Sequence, residues 1–322
     1  MAYIHRTNGT ATNELIWTLS MWVKQSAIDV PAYVADGAML AGAEAATNTP
    51  EFSITNGYNV LQFWTGSSTA YLATDARYID PAAWRHVVIA VDTTQGTPAD
   101  RIKMYVNGVE PTLATSTYPG SSYNTEMNAS GEVIEIGKMG SAELNGLLSH
   151  VHFVDGIQYT ASTFGEADAT SGIWKIKTSP TVTYGNNGFF LKMEDRTNLD
   201  LDSSPNAHTM TTSGTLTATY DNPSNNFCTA NPLDDYYAGI TYSNGNTTAT
   251  SSTAYGYSRA TLGVSAGLWY WEVKATTIPA PDYVTGVAST RSTAATVYPG
   301  KNAGSWSYVA TDGKSKNNGT GT

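Results

Sequence analysis

The chain has one cysteine, Cys228, in 322 residues. An intrachain disulfide framework and a cysteine-built zinc site are therefore excluded. Charge is scarce too, with Asp, Glu, Lys and Arg at 14% against about 25% in an average soluble domain. Only 17 residues are basic against 27 acidic, a net charge of −10. No broad basic surface remains to neutralise phosphates, so nucleic acid is not an expected partner. No apolar run approaches the ~18 residues of a membrane span, and membrane insertion is not expected. The opening residues Met1 to Thr10 lack the apolar core and small-residue cleavage pattern of a secretory signal.

What is present is the material of strands and turns. Gly numbers 29, Tyr 20 and Trp 8, while Phe numbers only 7. Such rings join an apolar body to a polar tip and suit half-exposed binding surfaces. The stretch from Ala83 to Thr112 is the clearest. Val87, Ile89 and Val91 fall on one face of a strand and Trp84, Val88 and Ala90 on the other, which predicts a central strand covered on both sides. Ile102, Met104 and Val106 recur at period two, and Asn107-Gly108 has the positive-φ chemistry of a type I′ turn. Val109 onward is thus expected to return antiparallel to Ile102–Val106. Trp17, Leu19, Met21 and Val23 share one face of a further strand. Asn56-Gly57 signals a second hairpin, and 29–46 reads as a loop with a short strand at Ala38–Ala41.

Trp17 to Lys24, Ala83 to Thr112 and Gly146 to Gly156 together resemble the laminin-G-like, concanavalin A-type lectin/glucanase sandwich over roughly residues 3 to 220. Phe164-Gly165-Glu166 and Gly172-Ile173-Trp174-Lys175 are similar to segments of bacteriophage tail-fibre and other virion proteins. Asp202-Ser-Ser-Pro-Asn-Ala-His208 resembles a laminin-G-like loop in which Pro205 and Ala207 replace glycines, and neither tolerates positive φ as glycine does. Further on, Tyr257 to Lys274, with Gly267-Leu268-Trp269-Tyr270-Trp271-Glu272-Val273, resembles the entry strands of SPRY-type sandwiches. The strands that follow in that family have no counterpart after Tyr308–Thr311.

These resemblances imply an all-β chain: a concanavalin A-like jelly-roll sandwich over 1–222, a linker at 223–232 and a partial SPRY-like β-sandwich over 233–322. The partial sandwich is expected to be completed by a longer natural polypeptide or by strands from neighbouring copies. The implied function is that of a phage virion structural protein, made in the host cytoplasm and acting as a non-catalytic adhesin for host-surface glycan or protein. Its partners would be other virion subunits in a homo-oligomer. A purely architectural decoration or connector protein and a glycan depolymerase are the alternatives.

The candidate ligand residues are Tyr58, Trp64, Tyr71, Tyr118 and Tyr123, whose rings can stack on sugars. Asp195, Asn198, Asp200 and Asp202 gather oxygens in one loop. The resemblance implies calcium there, with a hydrogen-bonded Asx-turn loop as the alternative, and no other cofactor is expected. Related glycosidases place paired carboxylates on one strand face. Here Glu132 and Glu135 stand three apart, on opposite faces, so no enzyme is expected. Gly263-Val-Ser265-Ala-Gly267 matches a nucleophile elbow but precedes a strand rather than a helix. His150 and His152 share a strand face without a third ligand.

Overall fold

Trp17, Leu19, Met21 and Val23 are buried on one side of the strand Ile16–Gln25, and Val87, Ile89 and Val91 on the same side of Arg85–Asp92 beside it. This is the outcome that their period-two spacing dictates. The computed structural model describes residues 2–26, 38–44, 50–54, 58–66, 69–140, 142–236, 239–252, 256–277, 283–289 and 298–321. The expected Asn56-Gly57 turn and the 29–37 and 45–46 parts of the expected loop lie outside them. The chain divides into two compact units, Met1–Thr229 with Asn244–Asn246, and Ala230–Ser243 with Thr247–Thr322.

In chain order the strands of the first unit are β1 (Tyr3–Thr7), β2 (Ile16–Gln25), β3 (Ala38–Glu44), β4 (Glu51–Ile54), β5 (Val60–Trp64), β6 (Tyr71–Arg77), β7 (Arg85–Asp92), β8 (Ile102–Val106), β9 (Leu113–Thr117), β10 (Val133–Ile136), β11 (Lys138–Met139), β12 (Ala142–Glu143), β13 (Gly146–Asp155), β14 (Gly165–Ala167), β15 (Trp174–Ile176), β16 (Phe189–Leu191) and β17 (Thr211–Ser213). An eight-stranded sheet runs β17-β1-β10-β3-β4-β5-β6-β9 and a five-stranded sheet β16-β13-β2-β7-β8. Their facing sides share one core, to which the first contributes Phe52, Leu61, Phe63 and Ile134 and the second Trp17, Leu19, Ile89 and Phe153.

The chain after Asn107-Gly108 does not return along β8. Val106 and Val109 exchange both turn hydrogen bonds, and there the pairing stops. Pro111 has no N–H to continue a ladder, and β9 crosses to pair with β6 in the other sheet. Gly108 is nevertheless indispensable. It sits at φ +85°, and a Cβ there would lie 2.4 Å from the Trp174 ring; Gly165 meets the same ring, where a Cβ would lie 2.6 Å away. The indole is thus seated between two glycines on the far side of the five-stranded sheet, stacked on His86 at 6.0 Å and donating from Nε1 to His86 Nδ1 at 3.0 Å.

Near the end of the unit Asp221 forms a buried latch. The Lys24 ammonium donates to Asp221 Oδ2 at 2.6 Å, to Asn226 Oδ1 at 2.8 Å and to the Phe227 carbonyl at 3.1 Å. Trp84 Nε1 donates to Asp221 Oδ1 at 2.7 Å. All three ammonium protons find acceptors, as a buried cation requires. Residues 223–229 of the expected linker consequently lie within the first unit.

The loop Asp202 to His208 keeps a left-handed residue despite losing its glycines, because Ala207 takes φ 48°. Asp202 enforces this. Its carboxylate accepts the backbone N–H of Phe190, Ser204 and His208 at 2.8–2.9 Å, which fixes the path on both sides of Ala207. The alanine is exposed, so Ala207→Gly should remove strain without losing packing and raise stability by about 0.5–1 kcal/mol. A thermal melt that is unchanged or lower would mean that the strain is not there.

The second unit contains β18 (Ala230–Tyr236), β19 (Ile240–Ser243), β20 (Thr248–Ser251), β21 (Tyr257–Ala260), β22 (Val284–Ala288), β23 (Ser305–Val309), β24 (Ser315–Asn317) and β25 (Thr320–Gly321). β18 pairs with β21, β19 with β20, and β22 to β25 form one sheet. The expected strand at Leu268–Val273 is not formed. Trp269, Tyr270 and Trp271 are exposed and belong to no ladder. Alternating apolar residues make a strand only where another strand supplies hydrogen bonds, and no described segment pairs with this one.

Candidate functional site

The outer face of the eight-stranded sheet, turned away from the core, carries one residue from every strand in a single transverse row. Each is registered directly opposite the next: Thr211, His5, Glu135, Gly42, Glu51, Trp64, Tyr71 and Thr117. The face follows from alternation. Phe52, Phe63, Leu72, Ile134 and Ile4 point into the core, so their neighbours along the strands point out. At ~4.8 Å per strand spacing the row spans about 34 Å.

Trp64 and Tyr71 form its aromatic part, both half-buried and directly opposite across β5 and β6. Beside them Tyr71 donates its hydroxyl to Gln62 Oε1 at 3.3 Å, and Gln62 donates from Nε2 to Glu51 Oε1 at 2.5 Å. Ser53 Oγ reaches the same Glu51 oxygen at 3.5 Å. Burial raises the Glu51 carboxyl above its usual range, and the Gln62 and Ser53 donors oppose the shift. Two strands away Glu135 is only 3% exposed. Its Oε1 lies 3.1 Å from the Lys138 ammonium, which also sits 4.3 Å over the Tyr3 ring. Its Oε2 is buried and has no hydrogen-bond partner among the described residues.

Gly42 lies between Glu51 and Glu135 and places no side chain there. The sheet therefore has the same-face carboxylate pair that no single strand shows, with Cα atoms about 9–10 Å apart across two spacings. Each acid, however, already has a standing partner in Gln62 or Lys138.

The other expected ligand residues are not part of this row. Tyr58 is 57% exposed in the turn before β5. Tyr118 packs against the core and lines a small cleft with Leu72, Met104 and Leu113, and Tyr123 is half-buried in the loop after it. The four candidate calcium ligands are not brought to one point either. All of Asp202's acceptor capacity goes to Phe190, Ser204 and His208. Asp200 accepts Thr212 Oγ1 at 2.7 Å and Asp195 accepts its own turn at Thr197, while Asn198 contributes backbone bonds to that turn. Among the described residues no three His, Cys, Asp or Glu side chains gather where a metal ion would sit.

The feature that sequence reasoning missed altogether is Asp155. It is 1% exposed. Its Oδ2 accepts the backbone N–H of Thr12 at 2.7 Å and of Asn187 at 3.0 Å, and its Oδ1 accepts Asn13 N–H at 3.1 Å and Asn128 Nδ2 at 2.7 Å. Asn187 in turn donates to Asn128 Oδ1 and to the Gly9 carbonyl. With every acceptor position filled this cluster is a structural hub, closed to a ligand.

Residues 2–161 match the family model of the concanavalin A-like lectin/glucanases superfamily, laminin G type. The first unit accordingly carries a concanavalin A-like lectin/glucanase domain. Three solved structures are similar to the chain at low identity. A heptameric SAP-like pentraxin from Limulus polyphemus has 12% identity over 58% of this chain and 94% of its own, with a TM-score of 0.35. A candidate carbohydrate-binding protein from Bacteroides ovatus has 16% identity over 66% of this chain and 56% of its own, at 0.44. Domain 4 of an extracellular arabinanase from Geobacillus stearothermophilus, in complex with arabinotriose, has 16% identity over 49% and 68%, at 0.34. No curated protein matches the sequence.

Proposed function

We propose that the protein is a non-catalytic adhesin of a bacteriophage fibre or appendage, and that it holds host-surface glycan on the outer face of its eight-stranded sheet. The observation that carries this reading is the Trp64–Tyr71 pair: two half-exposed rings registered side by side, next to a hydrogen-bonded Tyr71–Gln62–Glu51 chain. Rings of this kind pack on the C–H faces of sugars, and the amide and carboxylate beside them address hydroxyls. The virion setting rests on the likeness of Phe164-Gly165-Glu166 and Gly172-Ile173-Trp174-Lys175 to phage fibre segments. In a homo-oligomer, weak sites of this kind gain by avidity.

Trp64→Ala and Tyr71→Ala should each weaken binding on a glycan array by about tenfold or more, the loss of one stacked ring being worth about 1–2 kcal/mol. The melting temperature should stay nearly constant, since neither ring is in the core. A parallel fall in stability and binding would make these rings structural, and no signal for the wild type would favour the architectural alternative. Incubated with host capsular or lipopolysaccharide polymers, the protein should release no reducing ends. Release abolished by Glu51→Gln or Glu135→Gln would make it a depolymerase.

A further inference from the structure

Residues 268–274 of the second unit alternate as a strand does. Trp269, Trp271 and Val273 fall on one side and Tyr270, Glu272 and Lys274 on the other. The Tyr270 hydroxyl donates to the Glu272 carboxylate, as side chains two apart on one face can. Yet no described segment pairs with these residues. Leu268 is fully exposed, and Trp269, Tyr270 and Trp271 are exposed by 67, 82 and 51%. Together with the half-exposed Val273 they present about 600 Å² of apolar surface, a whole aromatic side chain contributing about 150–250 Å². A patch of that size is as large as the largest on an ordinary monomer, and such patches mark interfaces. The unit has little interior to take it in, since Val309 is the only buried apolar side chain among its described residues. Nor can the rings be buried with no strand beside them, because that would bury unpaired backbone N–H and C=O groups.

We propose that residues 268–274 are a dimerisation strand, which pairs antiparallel with the same residues of a second copy about a two-fold axis at Val273. The charges select the partner and the register. About Val273, Glu272 of each copy stands opposite Lys274 of the other, so the two-fold makes two opposite-charge pairs. An axis one residue either way sets Glu272 against Glu272 or Lys274 against Lys274, and parallel pairing in register does both. The area fits as well: two copies bring together about 1,200 Å² of apolar surface, where specific interfaces begin. Once the backbone is paired, the tryptophan side can pack on Val287, Trp306 and Tyr308, which are exposed on one face of β22 and β23 with Val287 opposite Trp306. The inference rests on the homo-oligomer part of the functional reading and gives it an interface. It stands apart from glycan binding, to which a dimer would add avidity.

The experiment is sedimentation of the full chain over a range of concentrations. The wild type should pass from monomer to dimer as concentration rises, and its tryptophan emission should shift to the blue as Trp269 and Trp271 leave water. Glu272→Lys alone and Lys274→Glu alone should each weaken dimerisation about tenfold or more, because the two-fold turns two attractive pairs into two repulsive ones. The two substitutions together should restore it. Both side chains are exposed and in no ladder, so each monomer should melt as the wild type does. A single reversal that leaves the dimer intact, or a double reversal that fails to restore it, would overturn the proposal and leave a homo-oligomer built on another surface. A chain that stays monomeric throughout would remove this proposal and the homo-oligomer together. Glycan-array binding of the same samples reads the adhesin function separately.

Discussion

Asp155→Ala is expected to be the most damaging single substitution in the first unit, lowering its stability by about 5 kcal/mol. The buried carboxylate accepts four donors, from Thr12, Asn13, Asn128 and Asn187. Each donor left buried and unpaired costs about 1–3 kcal/mol, and partial collapse or entry of water returns some of the sum. Since a domain of this size is stable by only about 5–15 kcal/mol, the variant should populate unfolded molecules without denaturant. Asp168 supplies the control. It also accepts several hydrogen bonds, from Thr170, Ser171 and Lys175, but in solvent, where water replaces each lost partner. Asp168→Ala should therefore shift a urea unfolding curve very little. If the two variants unfolded at the same urea concentration, Asp155 would not be the hub that its hydrogen bonds describe.

Acid should unfold the protein early. His86, His150 and His152 are all buried on the far side of the five-stranded sheet, and burial lowers their basicity: His86 to about 3, His150 to about 4 and His152 well below its ordinary value. Phe164, Trp174, Tyr184 and Phe190 surround them with rings. Glu194, 3.5 Å from His150, pulls the other way but is half exposed. Below pH ~6.5 the unfolded chain takes up protons that the folded one refuses. Stability is then constant above that pH and falls beneath it by about 1.4 kcal/mol per unit for each histidine. With three acting together the fall is about 4 kcal/mol per unit, continuing until pH approaches 4, where His150 begins to charge in the folded state as well. Glu51, raised by burial, works in the opposite sense, but as one group against three. Urea midpoints should hold steady from pH 8 to 7 and drop steeply from 6 to 4.5. A flat profile across that range would mean that the histidines are hydrated in solution.

Much of the sandwich was legible in the sequence, and the parts that were share one property. β2 and β7 could be read because apolar residues alternate on both faces, so their burial is written locally. β9 and β17 could not. Leu113–Thr117 and Thr211–Ser213 are polar edge strands whose pairing is decided by β6 and β1. The site divides in the same way. Trp64 and Tyr71 stand out as residue types, but the row that makes them neighbours of Glu51 and Glu135 depends on the register of eight strands. Searching along one strand paired Glu135 with Glu132 and found opposite faces. Its same-face counterpart lies across the sheet, 84 positions earlier in the chain. The Asp155 hub was invisible for a related reason, since its donors come from residues 12, 13, 128 and 187, none of them a recognisable motif.

The pairing of β1 with β17 bears on how the chain is made. Tyr3 leaves the ribosome long before its strand's outer neighbour, because Ser213, which stands opposite it, emerges only when more than two hundred further residues have followed. Until then β1 presents an unpaired edge, which is open to wrong partners. Folds closed by contacts so distant in sequence form slowly. Translation at about 5–20 residues per second thus leaves this edge bare for roughly ten seconds or longer in every nascent molecule. Slower growth temperature and chaperone supply, rather than changes to the folded surface, should set how much of the protein is recovered soluble.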